Sequence, residues 1–118
     1  MLPRNFLRPC ILLLLKESSA HGYDLLERAR ALGFTRSDPG GLYRALRILE
    51  DDGLVRSAWE SSTHGPDRRI YEITRGGAEH LHETAVSVRS GAEAMERFIS
   101  RYEEFVTLPR VRAVVSRA

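Results

Sequence analysis

The sequence predicts a mainly α fold with one small β-hairpin. Three observations carry that expectation. Apolar residues recur at helical spacing through the N-terminal part, punctuated by capping residues and glycines. The spacing then changes to alternation across "LVRSAWE" and "RRIYEIT", which flank the turn-rich "SSTHGPD". From Ala78 onward, apolar residues return at steps of three and four.

Taken in order, the first helix is expected from Leu7 to Glu17, with Pro9 tolerated in its first turn. Ser18 and Ser19 offer an N-cap for a second helix through "HGYDLLERARALG". There Leu25, Leu26, Ala29 and Leu32 keep helical spacing, and Gly33 closes the helix. Asp38 caps a third helix with Pro39 at its first position, and Gly53 stops it. A two-stranded hairpin follows. Thr74 then caps a long last helix whose apolar residues are Ala78, Leu81, Ala85, Val88, Ala92, Met95, Ile99, Tyr102 and Val106. Phe98 and Phe105 broaden this seam, and Pro109 ends the helix. Three helices closed by a hairpin describe a winged helix-turn-helix. The fourth helix is too long and too one-sided to be satisfied by that small domain, and reads as a C-terminal dimerisation helix. The expected division is a winged domain at 1–74, a dimerisation helix at 75–107 and a basic tail at 108–118.

Composition bounds the function. The 118 residues suit one domain, and 42% hydrophobic content supplies a core. A domain of this size keeps much of its surface exposed, so oligomerisation would help it. The net charge of +2 permits a nucleic-acid partner without requiring one. Seventeen arginines stand against one lysine, Lys16. Arginine suits bidentate contacts with phosphate and guanine edges, and an Arg-rich codon usage accounts for the bias equally well. The single Cys10 rules out an intrachain disulfide and reads as a buried thiol in a reducing cytosol. The apolar run Cys10 to Leu15 is too short for a signal-peptide core or a membrane span, so a cytoplasmic protein is expected. No enzyme, cofactor or metal is expected. His80 and His82 sit two apart and face different ways on a helix, Cys10 in its apolar run has no apparent partner for activation, and no phosphate loop or nucleophile elbow is present.

On a helical wheel of Asp38 to Asp52, Leu42, Ala45, Leu46 and Leu49 fall on one side. Tyr43, Arg44, Arg47 and Asp51 fall opposite. In the second helix of a helix-turn-helix, that outward face enters the major groove. Gly40 and Gly41 bare the backbone N–H groups of the helix start, which suits a phosphate. The hairpin tip carries His64, and Arg68 and Arg69 open its returning strand, so this wing suits a minor groove or phosphate row. Plainer readings stand beside these: an Arg47–Asp51 pair, a Tyr43 half-buried under a neighbouring helix, and a solvated strand end at Arg68 and Arg69.

Three stretches, "HGYDLLERARALGF", "DPGGLYRALRILEDDGLVRSAWE" and "GPDRRIYEITRGG", resemble the PadR family of transcriptional regulators in order and spacing. With the apolar first helix they cover roughly residues 8 to 77. The last helix matches in length and position rather than in motif. The resemblance implies a homodimer, paired through its C-terminal helix, that binds operator DNA, usually as a repressor. It places Tyr23, Tyr43, Gly40, Gly41, Arg68 and Arg69 at the DNA. Asp38 and Gly41 stand where the family commonly holds Ser or Thr. Some members bind small aromatic or cationic compounds near the dimer interface. Trp59, Phe98, Tyr102 and Phe105 are the aromatic candidates for such an effector here, with ordinary core packing as the alternative. Arg44 and Arg47 are the candidates for base edges, on a pseudo-palindrome that matches a two-fold dimer.

Overall fold

Pro9 falls in the first turn of α1 (Leu7–Glu17), where a missing N–H breaks no helical hydrogen bond. The computed structural model describes residues 6–33 and 38–110; the expected tail is thus described only as far as Arg110. α1 buries Cys10, Ile11, Leu12, Leu14 and Leu15, and its end is closed by the Ser18 N–H donating to the Leu14 carbonyl at 3.2 Å.

The connection to α2 (Gly22–Ala31) differs from expectation. Its N-cap is His21, with no side-chain cap bond, rather than a serine. The Ser18 hydroxyl instead accepts from Arg28 Nη1 at 3.1 Å. Ala20 and His21 form a short strand, β1 (Ala20–His21). α2 ends at Ala31 with Leu32 as its C-cap; Gly33, expected as the cap, follows at φ 75°, the left-handed conformation that glycine takes without strain. α3 (Pro39–Asp51) is capped by Asp38, whose Oδ1 accepts from the Gly41 N–H at 2.7 Å. Gly53, at φ 77°, turns the chain out of it.

β2 (Val55–Glu60) and β3 (Arg68–Ile73) pair antiparallel, from Val55 opposite Ile73 to Glu60 opposite Arg68. β1 adds to the other edge of β3, with Ala20 opposite Tyr71 and His21 opposite Ile70, so the sheet order is β1-β3-β2. The two-stranded hairpin of the sequence reading is therefore a three-stranded sheet. Two residues carry no periodicity, so β1 leaves no pattern to read.

The core joins the apolar faces of α1, α2 and α3 with Val55 and Tyr71 from the sheet. Each leucine buried here contributes about 1.5–3 kcal/mol relative to exposure. Cys10 is 1% exposed, and burial first, then the nearby Glu17 carboxylate, push its thiol up to about 11.

α4 (Arg75–Tyr102) starts at Thr74, whose hydroxyl accepts from the Gly77 N–H at 3.0 Å and donates to the Gly53 carbonyl at 2.7 Å. It ends well before Pro109. Glu104 N–H turns back to Arg101 O and Phe105 N–H to Tyr102 O, tightening the last turn, so Val106 lies beyond the helix. Glu103 and Glu104 place negative charge at the negative end of the helix dipole, which favours stopping there.

The chain divides into two compact units, Met1–Ala85 and Val86–Ala118. The boundary falls inside α4 rather than at its start. Gly77 is buried, and Leu81, expected in the dimer seam, is half-buried and packs against the core of the first unit. In the second unit Val86, Val88, Met95, Phe98, Tyr102, Phe105 and Val106 are exposed, and Ile99 is half-buried. No helix among the described residues is long and apolar enough to cross a membrane.

The close approach at Gly77 is testable. A β-carbon there would run into the Leu54 carbonyl oxygen and lie 2.7 Å from Ile73 Cγ1, whereas one at Gly76 meets nothing nearer than 3.7 Å. Gly77→Ala is expected to cost about 1–3 kcal/mol, and Gly76→Ala far less. The urea midpoints of the two variants check this.

Candidate nucleic-acid interface

The outward face of α3 is as the wheel drew it. Leu42, Ala45, Leu46 and Leu49 are buried, while Tyr43, Arg44, Arg47 and Asp51 are exposed. No ion pair or hydrogen bond joins Arg47 to Asp51 among the described residues, so the Arg47 guanidinium is available to a partner.

At the start of α3 the arrangement is less open than two glycines suggest. The Asp38 carboxylate already holds the Gly41 N–H, which removes one donor and places a negative charge where a phosphate was expected. Arg44 folds back towards this point: a β-carbon on Gly40 would lie 3.4 Å from Arg44 Nη1 and 3.8 Å from Asp38 Oδ1. A cation and an anion therefore share the helix start, with exposed Pro39 and Gly40 beside them.

Tyr43 does not simply point away. Its ring lies against Gly22 at the start of α2, and a β-carbon on Gly22 would sit 2.5 Å from the phenol oxygen. The sequence reading left this open between an outward and a half-buried ring. At 46% exposure the ring does both, with one face on α2 and one in solvent. Gly22 is thus a site residue that the sequence reading missed, because only the fold brings it under Tyr43.

Beside this contact an open cleft of about 330 Å³ runs between α2, α3 and the wing. Tyr23, Tyr43, Trp59, Asp67, Arg68 and Tyr71 are among the residues that line it. Tyr23 is 64% and Trp59 66% exposed, so Trp59, a candidate for core packing, is a surface residue. Tyr71 is buried, and burial first raises its phenol above the ordinary value, with Arg69 pulling the other way. His21 Nε2 lies 2.8 Å from Glu60 Oε1 and so ties β1 across β3 to the wing strand β2.

The two wing arginines separate. Arg68 is exposed. Arg69 is half-buried: its Nε donates to the Ser57 hydroxyl at 2.8 Å and its guanidinium lies over the Trp59 ring at 5.2 Å. At the tip, His64 is exposed and the Ser62 N–H donates to Asp67 Oδ1 at 3.4 Å. Among the described residues no cluster of His, Cys, Asp and Glu is suited to hold a metal. Of the other aromatic candidates, Phe98 and Phe105 belong to the second unit, 72% and 83% exposed.

A profile of the PadR-like transcriptional regulators matches residues 11–83, well over half of the chain. The chain belongs to this family. These are transcriptional regulators rather than enzymes. A probable transcriptional regulator of Mycobacterium tuberculosis is 33% identical over 73 residues, which are 60% of this chain and 39% of that one. The match thus spans about two fifths of that relative. The crystal structure of a PadR-like regulator from Bacillus cereus superposes with a TM-score of 0.72 at 28% identity, over 79% of this chain and 90% of that one. Bacillus subtilis PadR, solved in complex with operator DNA, shares the fold with a TM-score of 0.63 at 17% identity, over 96% of this chain and 54% of that one.

Gly22→Ala is expected to swing the Tyr43 ring off α2. The clashing atoms are the far end of one movable side chain, so the stability cost should stay below about 1 kcal/mol. A lost Tyr43 position without a lost fold should appear as a changed tyrosine environment by near-UV circular dichroism, with the thermal midpoint nearly kept.

Proposed function

We propose that this PadR-like regulator is a cytoplasmic homodimer that binds a pseudo-palindromic operator in double-stranded DNA and represses transcription. The observation that carries the reading is the face of α3: a capped helix, packed by its leucines, with Arg44, Arg47 and Tyr43 on the opposite, solvent-facing side. Arg44 and Arg47 would reach base edges. Tyr23, Tyr43, Pro39, Gly40, Gly41, His64 and Arg68 would meet the phosphate backbone. The Bacillus subtilis PadR complex with operator DNA supports this in so far as the two proteins share a fold.

The homodimer rests on the exposed apolar residues of the second unit. Val88, Met95, Tyr102 and Phe98 form a stripe too large to leave in water on a helix of this length. Ala85 and Ala92, both exposed, would let a partner helix approach closely. An aromatic effector would act by changing how the two winged units are held, and Trp59 would report it by fluorescence quenching.

The reading is tested by fluorescence anisotropy on DNA from upstream of the chain's own gene, against a shuffled control, at physiological and doubled salt. Tight, sequence-preferring and salt-steep binding is expected. Weak, salt-insensitive binding to both would sink it. Arg47→Ala should cost about 1–3 kcal/mol on the specific site and much less on random DNA. Ile99→Asp should yield monomers by analytical ultracentrifugation and lose operator binding with them; a variant that stays dimeric moves the seam elsewhere.

A further inference from the structure

Glu50 and Arg69 are the wrong partners for a surface that only attracts DNA. Glu50 sits near the end of α3, on the element that carries the reading face, and its carboxylate is half-buried. Its Oε2 accepts from the Ser57 hydroxyl at 2.6 Å. The same hydroxyl accepts from Arg69 Nε at 2.8 Å, and Arg69 Nη2 stands 3.9 Å from Glu50 Oε2. Trp59 is paired with Arg69 in the ladder, and Arg69 Cζ lies over its ring, 5.2 Å from the ring centre. One carboxylate, one hydroxyl and one guanidinium thus join α3, β2 and β3. A hydroxyl used both as donor and as acceptor fixes its own proton, and an arginine held by Ser57 and lying over Trp59 has less freedom left.

We propose that Arg69 is a positioning residue: through Ser57 and Glu50 it sets the wing against the reading helix, while Arg68 alone of the pair faces the DNA. The proposal rests on the DNA-binding reading above. It differs from simple electrostatics in sign. Glu50 repels phosphate, so removing its charge should tighten DNA binding if charge is all that matters. If Glu50 holds the wing, removing the charge should weaken it. Arg69→Lys separates the same alternatives. Lysine keeps the positive charge that a phosphate contact needs, but loses the Nε–H that reaches Ser57 and the guanidinium that lies over Trp59.

The experiment measures Glu50→Gln, Ser57→Ala and Arg69→Lys in the full chain, by anisotropy on the operator and by hydroxyl-radical footprinting. Each is expected to lose about tenfold in affinity with an unchanged salt slope. Protection should fade at the positions that the wing would cover and persist at those that α3 would read. Combining Ser57→Ala with Arg69→Lys should cost little more than either alone, since both break one network. Tighter binding by Glu50→Gln, or wild-type affinity in Arg69→Lys, would overturn the proposal. Thermal melts separate these outcomes from unfolding, and the neutral Ser57→Ala remains decisive if Glu50→Gln is unstable. Trp59 fluorescence in DNA-free protein should shift in Arg69→Lys; no shift counts against the network whether or not DNA binds. Wild-type protein that ignores every DNA would instead refute the functional reading.

Discussion

Everything presented on α3 depends on what that helix buries. Leu42, Leu46 and Leu49 are nearly inaccessible, and they lock the helix in rotation against α1 and α2. With 100° between successive residues, fixing the leucines fixes Tyr43, Arg44 and Arg47 on the other side. The arginines need no packing of their own. Their direction is set by hydrophobic burial of residues one or two positions away, which is why so small a domain can hold a charged surface steady.

The same helix shows how local capping and ligand binding compete. Asp38 stabilises α3 by taking the Gly41 N–H, and by doing so it occupies part of the anion-attracting helix start. Arg44, folded back over Gly40, offsets that charge. The start of α3 therefore carries a carboxylate and a nearby guanidinium rather than bare N–H groups alone.

Much of the fold was legible because it is periodic. α1, α3 and the long hairpin strands follow from leucine spacing, Pro9, Asp38, Gly53 and alternation, and the structure places them at the expected positions. What escaped has a physical reason in each case. β1 is two residues long and has no period. α4 ends at Tyr102, ahead of Pro109; Glu103 and Glu104 at its negative end favour that stop, and they leave no break in the apolar spacing. Leu81 keeps the heptad spacing of the seam and also packs, half-buried, against the winged core, since a seam and a core use the same residue types. At the candidate site, the free face of α3 was readable from one helix alone. The contact of Tyr43 with Gly22 and the Glu50–Ser57–Arg69 network were not, because each joins separate elements through side chains of ordinary kind.

Cys10 carries a consequence of a different sort. A thiol held at about 11 and 1% exposed is almost wholly protonated at neutral pH and shielded from reagents. It is also the chain's single cysteine. The native protein is therefore a silent background for thiol chemistry: a cysteine introduced at the wing tip or on the second unit could be spin-labelled or dye-labelled alone, without first removing the natural one from the core it helps to fill.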